Sequence, residues 1–219
     1  MKLVAAFLIL FSFSQYTFAQ DEVTVVDEPT PNLVFRNSSE HNRMDKKYST
    51  LFQPLGIGSS GVGEMALILG KHLDRNDIIQ VEISEGGTGK GWRHSHATLR
   101  TKVFGLHHKH FFGNSFYTKA GLDYRQAKYD YYYDANENYS FEGDGIVASF
   151  AIGNQWQWQN FTLGCDWVGL SASLTRNIKN ERISSTPYSW VEERLKEDED
   201  FYFMRNTPQA LRFYAGYSF

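Results

Sequence analysis

Apolar and polar residues alternate along several stretches of the chain, most clearly over residues 144–159. A period of two is that of a β-strand, because successive side chains of a strand point to opposite faces. The same alternation recurs at 78–85 and at 116–131. The pattern therefore predicts strands with one apolar and one polar face. On 144–159 the apolar face comprises Ile146, Ala148, Phe150, Ile152, Trp156 and Trp158.

Short turn sequences alternate with long polar connections between these stretches. The short ones lie near 74–77, 113–115 and 160, and the long ones near 86–96, 132–142 and 175–208. Gly, Asn and Asp mark tight turns, whereas long polar runs indicate loops. The segments between them predict seven strands, namely 62–73, 78–85, 97–111, 116–131, 144–159, 161–175 and 209–219.

The N-terminus has the order of a secretory signal peptide. Lys2 precedes an apolar run from Leu3 to Phe13, and Thr17-Phe18-Ala19 ends in the small residue expected at a cleavage site. The run is too short to cross a bilayer, because a spanning helix needs roughly 20 residues. No later stretch is continuously apolar, so insertion into a membrane must use strands. We expect export of Sec type and cleavage after Ala19.

The C-terminal residues form an amphipathic strand that ends on an aromatic residue. Leu211, Phe213, Ala215, Tyr217 and Phe219 share one face, and Arg212, Tyr214, Gly216 and Ser218 share the other. This ending resembles the terminal strand of bacterial outer-membrane barrels. In those proteins the final Phe and the aromatic residue two positions before it are recognised by the barrel-insertion machinery. The resemblance assigns these two places to Phe219 and Tyr217 and names that machinery as a partner.

Taken with the signal sequence and the strand spacing, the chain after cleavage resembles small Gram-negative outer-membrane proteins of the OmpX and OmpW type. The resemblance implies an all-β fold, an eight-stranded antiparallel up-and-down transmembrane β-barrel over 48–219. A signal peptide at 1–19 and a flexible periplasmic leader at 20–47 would precede it. Such barrels have even strand numbers, so we predict an eighth strand at 48–56, although Pro54 would remove a ladder donor. We expect a monomer in contact with outer-membrane lipid.

The two faces of the wall carry different residues. Aromatic residues concentrate at the predicted periplasmic interface, as in the interfacial belts of membrane proteins: Phe111, Phe112, Phe116, Trp156, Trp158, Phe161, Tyr217 and Phe219. A soluble lipocalin-like barrel, the structural alternative, would instead bury its apolar face. The predicted interior sets Glu64, Glu82, Asp123 and Asp166 against Arg100, Lys102, Lys119, Arg125 and Arg212. Because eight strands leave room only for side chains, we expect salt-bridged filling.

Candidate chemistry along the chain is sparse. His94 and His96 lie roughly 35 Å away along the strand from His107, His108 and His110, so the five cannot share an ion, and no metal or cofactor is expected.

The acidic run 192–200 fits a solvated loop. Lipid A deacylases carry a His-x-Ser-Asn run that this chain lacks, so no enzyme is expected. The net charge of −3 gives no basic field for nucleic acid.

The leading hypothesis is therefore a non-enzymatic outer-membrane barrel with a side-chain-filled interior. It would act in surface interaction or envelope integrity through its outer loops. A narrow channel or carrier for small or hydrophobic solutes is the alternative. A lipid-modifying enzyme and a soluble lipocalin-like barrel are further hypotheses that the sequence favours less.

Overall fold

The computed structural model describes residues 38–58, 60–92, 95–133, 137–183 and 207–219. The predicted signal peptide, the leader up to residue 37 and the acidic run 192–200 lie outside these residues. In the described part a helix, α1 (Ser39–Met44), precedes ten strands. They are β1 (Tyr48–Gly58), β2 (Gly61–Val62), β3 (Met65–His72), β4 (Asp77–Trp92), β5 (Ser95–Phe111), β6 (Phe116–Tyr133), β7 (Glu137–Trp158), β8 (Phe161–Ser173), β9 (Asn177–Ile183) and β10 (Thr207–Ser218).

Eight of these strands close into an antiparallel barrel. Each pairs with the next in the order β1, β3, β4, β5, β6, β7, β8, β10, and β10 pairs back onto β1. Closure leaves no open sheet edge, which a bilayer would not tolerate. The predicted eight-stranded barrel is thus confirmed, including its first strand at 48–56. Pro54 lies at a register irregularity between Phe52 and Leu55, where a missing ladder donor is tolerated.

The two remaining strands extend this barrel. β2 folds back onto the end of β1, with Ile57 paired to Val62. β9 continues beyond β8 along the same neighbour, β7, from Asp144 paired with Asn177 to Tyr139 paired with Ile183. The last predicted connection, 175–208, is therefore partly a strand.

Four barrel strands are much longer than a bilayer requires. β4, β5, β6 and β7 have 16, 17, 18 and 22 residues, whereas a spanning strand needs about 9–11. Pairing continues to Trp92 with Ser95 and to Tyr133 with Glu137. The prediction of long loops at 86–96 and 132–142 is therefore wrong for the residues described there, which belong to strands. Outside the bilayer neither face has to be apolar, so the alternation disappears while backbone pairing continues.

The outward face of the barrel is apolar and exposed. Phe104, Leu106, Leu122 and Phe150 each leave about half of their surface uncovered, between 49% and 54%. Side chains at the alternate positions are buried inside, which is the opposite of a soluble lipocalin-like barrel. On β7 the outward positions from Ile146 to Trp156 are apolar except for Asn154, and the strand rise and tilt make such a band about 25 Å high.

Among the described residues, no helix is long and apolar enough to cross a membrane.

Candidate functional site

A network of buried charges crosses the interior of the barrel and is centred on Arg212 of β10. Its guanidinium lies 2.8 Å from Glu64 Oε1 and 3.1 Å from Asp166 Oδ2 and also bonds Glu82. All four side chains are buried. Charges taken out of water must be paired and hydrogen-bonded, because the desolvation cost is otherwise not offset. One guanidinium thus connects β10 through the lumen to β4, β8 and the residue that precedes β3.

Lys119 of β6 completes this network from the opposite wall. Its Nζ donates to Asp166 Oδ2 at 2.6 Å and lies 3.7 Å from Glu82 Oε2. Three carboxylates and two cations therefore share one level of the lumen. We call the set of Glu64, Glu82, Lys119, Asp166 and Arg212 the central ion network.

A second polar pair lies next to the central ion network. His107 Nε2 is 2.8 Å from Asp123 Oδ1 and 3.1 Å from Ser149 Oγ. Two glycines make room for it: a Cβ at Gly121 would collide with His107 Cδ2, and one at Gly105 would collide with Asp123 Oδ1. The side chains of His107 and Asp123 therefore occupy the space that the absent side chains of Gly121 and Gly105 leave free.

A layer of tyrosines and one lysine fills the lumen on the side of the short turns. Lys109 Nζ donates to Gln155 Oε1 and to Tyr214 Oη, both at 3.0 Å, and lies 4.2 Å from the centre of the Tyr117 ring. Tyr214 donates to Tyr117, which in turn donates to Asp166. Hydrogen bonds thus connect this layer to the central ion network. Lys109 was not predicted as an interior residue, although its odd-numbered position is inward on β5, like that of His107.

Helix α1 closes the barrel at the end of the short turns. The Arg43 guanidinium donates to the backbone oxygens of Arg75 (3.2 Å), Asn114 (2.6 Å) and Gly113 (3.0 Å). It also lies 3.8 Å from the centre of the Phe111 ring. Burial lowers the pKa of Arg43 to about 10 because desolvation disfavours its charged form, an effect that Glu40 partly opposes. The hydrogen bonds of Arg43 thereby hold α1 against two turns, one containing Arg75 and one containing Gly113 and Asn114.

The position of α1 corrects the prediction of a wholly flexible leader. Residues 38–47 belong to the predicted leader, yet Asn42 Nδ2 donates to Gln157 O at 2.9 Å and Gln157 N donates to Ser39 Oγ at 3.0 Å. The side chain of Ser38 caps the helix by accepting from His41 N. A six-residue helix offers too little periodicity to be predicted, and its local signals are the N-cap Ser38 and the acidic Glu40 in its first turn.

The structure places most of the predicted interior charges inside the wall, namely Glu64, Glu82, Lys119, Asp123, Arg125, Asp166 and Arg212. Arg100 and Lys102 were assigned to the interior wrongly. Both are exposed on the outward face of β5, whose inward positions are odd-numbered. They lie above the apolar band, where an outward charge meets headgroups or water and carries no desolvation cost.

The predicted aromatic belt lies at the end of the short turns with one exception. Phe112, Trp158, Phe161, Tyr217 and Phe219 are exposed, and Phe116 and Trp156 are partly exposed. Trp158, Phe161 and Tyr217 form a continuous row, with ring centres 6.2 and 6.3 Å apart. Phe111 is buried inside the barrel beneath Arg43, so its assignment to the belt was wrong. Its backbone position on β5 is inward.

The described residues contain no group of three or more His, Cys, Asp or Glu side chains arranged to hold a metal ion. His108 Nε2 and His110 Nδ1 share the outward face and contact Asp77 Oδ1 at 2.7 and 2.8 Å, whereas His107 points inward. The single cysteine, Cys165, is free and buried.

Replacing Arg212 by Leu should strongly destabilise the barrel. The substitution leaves three buried carboxylates with Lys119 as their remaining cation, and breaking a buried ion pair costs about 3 to 5 kcal/mol. Urea unfolding of the protein in lipid vesicles measures this cost. The control is Arg100→Leu, which removes the same charge from an exposed position and should change stability by less than about 1 kcal/mol. Equal stability of R212L and wild type would show that the central ion network does not hold the fold.

Sequence comparisons and fold comparisons differ in outcome. No protein-family profile matches the chain, and no curated protein sequence matches it. The crystal structure of a major outer membrane protein from Thermus thermophilus aligns with a TM-score of 0.53 at 13% identity, covering 80% of this chain and 100% of that one.

Two Acinetobacter baumannii proteins also align. CarO2 gives a TM-score of 0.43 at 10% identity over 80% of this chain and 100% of that chain. CarO gives 0.40 at 14% identity over 78% and 95%. At these identities the similarity concerns the fold alone. Of the three structures, the Thermus protein, with a TM-score of 0.53, is the one that supports it. The closed barrel with its apolar outer face is therefore the fold of a small outer-membrane β-barrel protein.

Proposed function

We propose that this chain is a non-enzymatic barrel of the Gram-negative outer membrane that is closed to solutes and acts through the end bearing the long strands. It would serve in surface interaction or envelope integrity. The observation that carries the proposal is the filled lumen. Arg212 bonds Glu64, Glu82 and Asp166 across the interior, and Arg43 closes the turn end.

The location is supported by the outer wall. The band of outward apolar residues on β7, about 25 Å high, matches the height of the apolar band of transmembrane barrels, which is also about 25 Å. The exposed aromatic row of Trp158, Phe161 and Tyr217 borders it at one end. Phe219 and Tyr217 occupy the places that the resemblance assigns to the insertion signal.

The surface role is supported by the projecting strands. β7 continues well beyond Ile146, the last outward apolar residue of its band, to Glu137. At strand rise and tilt this is about 20 Å of paired hairpin outside the bilayer. Charged residues pair across it, as in Lys128 with Glu142 at 3.0 Å. A paired ribbon of this kind presents side chains in fixed positions, which favours recognition of a binding partner.

The alternative function, a narrow channel through the barrel, rests on Arg125. This side chain is buried, and its Nε and Nη2 have no hydrogen-bond partner among the described residues. A buried donor without a partner invites water or a solute. The central ion network nevertheless lies between Arg125 and the turn end, which favours a lumen that ends blindly.

The purified wild-type protein should show no reproducible single-channel conductance in planar bilayers, because paired charges and α1 obstruct the lumen. Arg43→Ala alone should remain silent, since the central ion network is still intact. A general porin inserted in the same bilayer serves as the positive control. Steady conductance that changes when Arg125 or Asp123 is neutralised would establish the channel instead.

Shortening the β6–β7 hairpin should abolish the envelope or surface role without unfolding the barrel. Replacing 129–141 by Asn-Gly joins Lys128 to Glu142, which are paired in register, through a turn that suits a two-residue hairpin. This removes more than half of the paired ribbon beyond Ile146. The measurement is survival of a deletion strain in detergent and its adhesion to surfaces, after complementation with either form. We expect the wild type to complement and the shortened form to fail. Full complementation by the shortened, folded form would contradict a role for this hairpin.

A further inference from the structure

An open crevice of about 680 Å³ lies at the turn end, between the end of α1 and the β3–β4 turn. Backbone hydrogen bonds fix its floor. Lys47 N donates to Phe219 O at 2.9 Å, and His72 N donates to Lys47 O at 2.9 Å. The crevice is therefore formed by chain segments that the barrel itself holds in place.

The side chains lining the crevice are mainly cationic. Lys46, Lys47 and Arg75 line it, and Asp74 is the one acid among the lining residues. The Asp74 carboxylate already accepts from Asn76 N at 2.7 Å and Asp77 N at 2.9 Å within the turn. Arg75 Nη1 lies 3.6 Å from Glu40 Oε1 in a solvent-exposed pair, and Lys46 Nζ donates to Asn160 Oδ1. Within the described part of the chain, the Lys47 ammonium has no ion-pair partner. Because the exposed Arg75–Glu40 pair is weak and Lys47 is unpaired, the charge of the crevice favours an anion.

His72 adds a buried polar group without a partner. Its side chain is only 8% exposed, it lines the crevice, and neither ring nitrogen has a hydrogen-bond partner among the described residues. Leaving a buried polar group unpaired costs free energy. The neutral ring carries one N–H donor, and an oxygen of a bound anion would satisfy it.

Apolar side chains accompany these cations. Met44 and Leu73 line the crevice with 58% and 55% of their surface exposed. The aromatic pair of Tyr48 and Phe219, with ring centres 6.2 Å apart, lies at the same end of the barrel. Exposed apolar neighbours contribute nothing to binding of a small soluble anion. A phospholipid would contact both the cations and the apolar side chains, because its phosphate is charged and its acyl chains begin a few atoms away.

We infer that this crevice binds the phosphodiester headgroup of a phospholipid in the leaflet at the turn end. Lys46, Lys47 and Arg75 supply the charge, His72 donates to a phosphate oxygen, and Leu73 and Met44 contact the start of the acyl chains. Because the crevice lies between α1 and the wall, the lipid would hold the helix against the barrel. The inference rests on the proposed membrane location.

Native mass spectrometry of the full-length protein, delipidated in mild detergent and titrated with phosphatidylglycerol, tests the inference. We expect wild type to retain one tightly bound lipid. Lys47→Gln with Arg75→Gln should bind roughly 25-fold more weakly, because each cation contributes about fivefold to binding of an anionic lipid. Arg100→Gln with Lys102→Gln removes the same charge at the opposite end and should bind like wild type.

Two further ligands separate the possible sources of the phosphate. Diacylglycerol with the same acyl chains lacks the phosphate and should not be retained, and soluble glycerol phosphate should not displace the lipid at equal concentration. His72→Leu should also weaken binding while the barrel stays folded. Equal binding by the Lys47/Arg75 variant, or equal retention of diacylglycerol, would overturn the inference. Displacement by glycerol phosphate would overturn it in favour of a soluble phosphorylated ligand.

These outcomes are distinct from a failure of the proposed function. The binding assay uses purified protein and registers neither conductance nor complementation. A chain that conducts ions could still bind the lipid, and a silent barrel could fail to bind it.

Discussion

The fold depends on the ion pairing of Arg212 with Glu64, Glu82 and Asp166 inside the barrel. Most apolar side chains of a membrane barrel face the lipid, so only a small buried cluster that includes Leu51, Ile68 and Ile78 fills part of this interior as an apolar core would. Polar side chains occupy the rest of the described lumen, and each buried charge needs a partner. One guanidinium that bonds three carboxylates from other parts of the wall meets this requirement and holds those parts together.

The other features of the interior follow from this pairing. Lys119 neutralises the remaining charge of Asp166, and Tyr117 connects the network to the layer of Lys109 and Tyr214. Arg43 then covers that layer from α1. Filled in this way, the barrel supports the two surfaces for which we propose a function, one at each end. The projecting hairpins occupy one end, and the cationic crevice beside α1 occupies the other.

The sequence predicted the barrel because its dominant signals are local. Alternation reports which face meets lipid, and turn residues separate the strands, so seven strands were predicted from local signals. The eighth, at 48–56, was predicted from the even strand number of such barrels. Arg100 and Lys102 show the limit of this signal. Their strand continues above the bilayer, where charge on the outward face is tolerated, so their charge did not show that they share the outward face of Phe104 and Leu106. Phe111 was assigned to the wrong face, and Lys109 and Arg43 were not predicted, because their surroundings come from distant segments, as when Arg43 bonds the oxygens of Gly113 and Asn114.

The central claim is that the chain forms a closed, internally paired barrel in the outer membrane. Gel mobility of the protein extracted from outer-membrane fractions, with and without heating in detergent, tests it most directly. Because the closed barrel resists detergent until heat breaks the central ion network, the unheated protein should migrate faster than the heated one. A protein that is absent from those fractions, or whose mobility does not change on heating, would contradict the account.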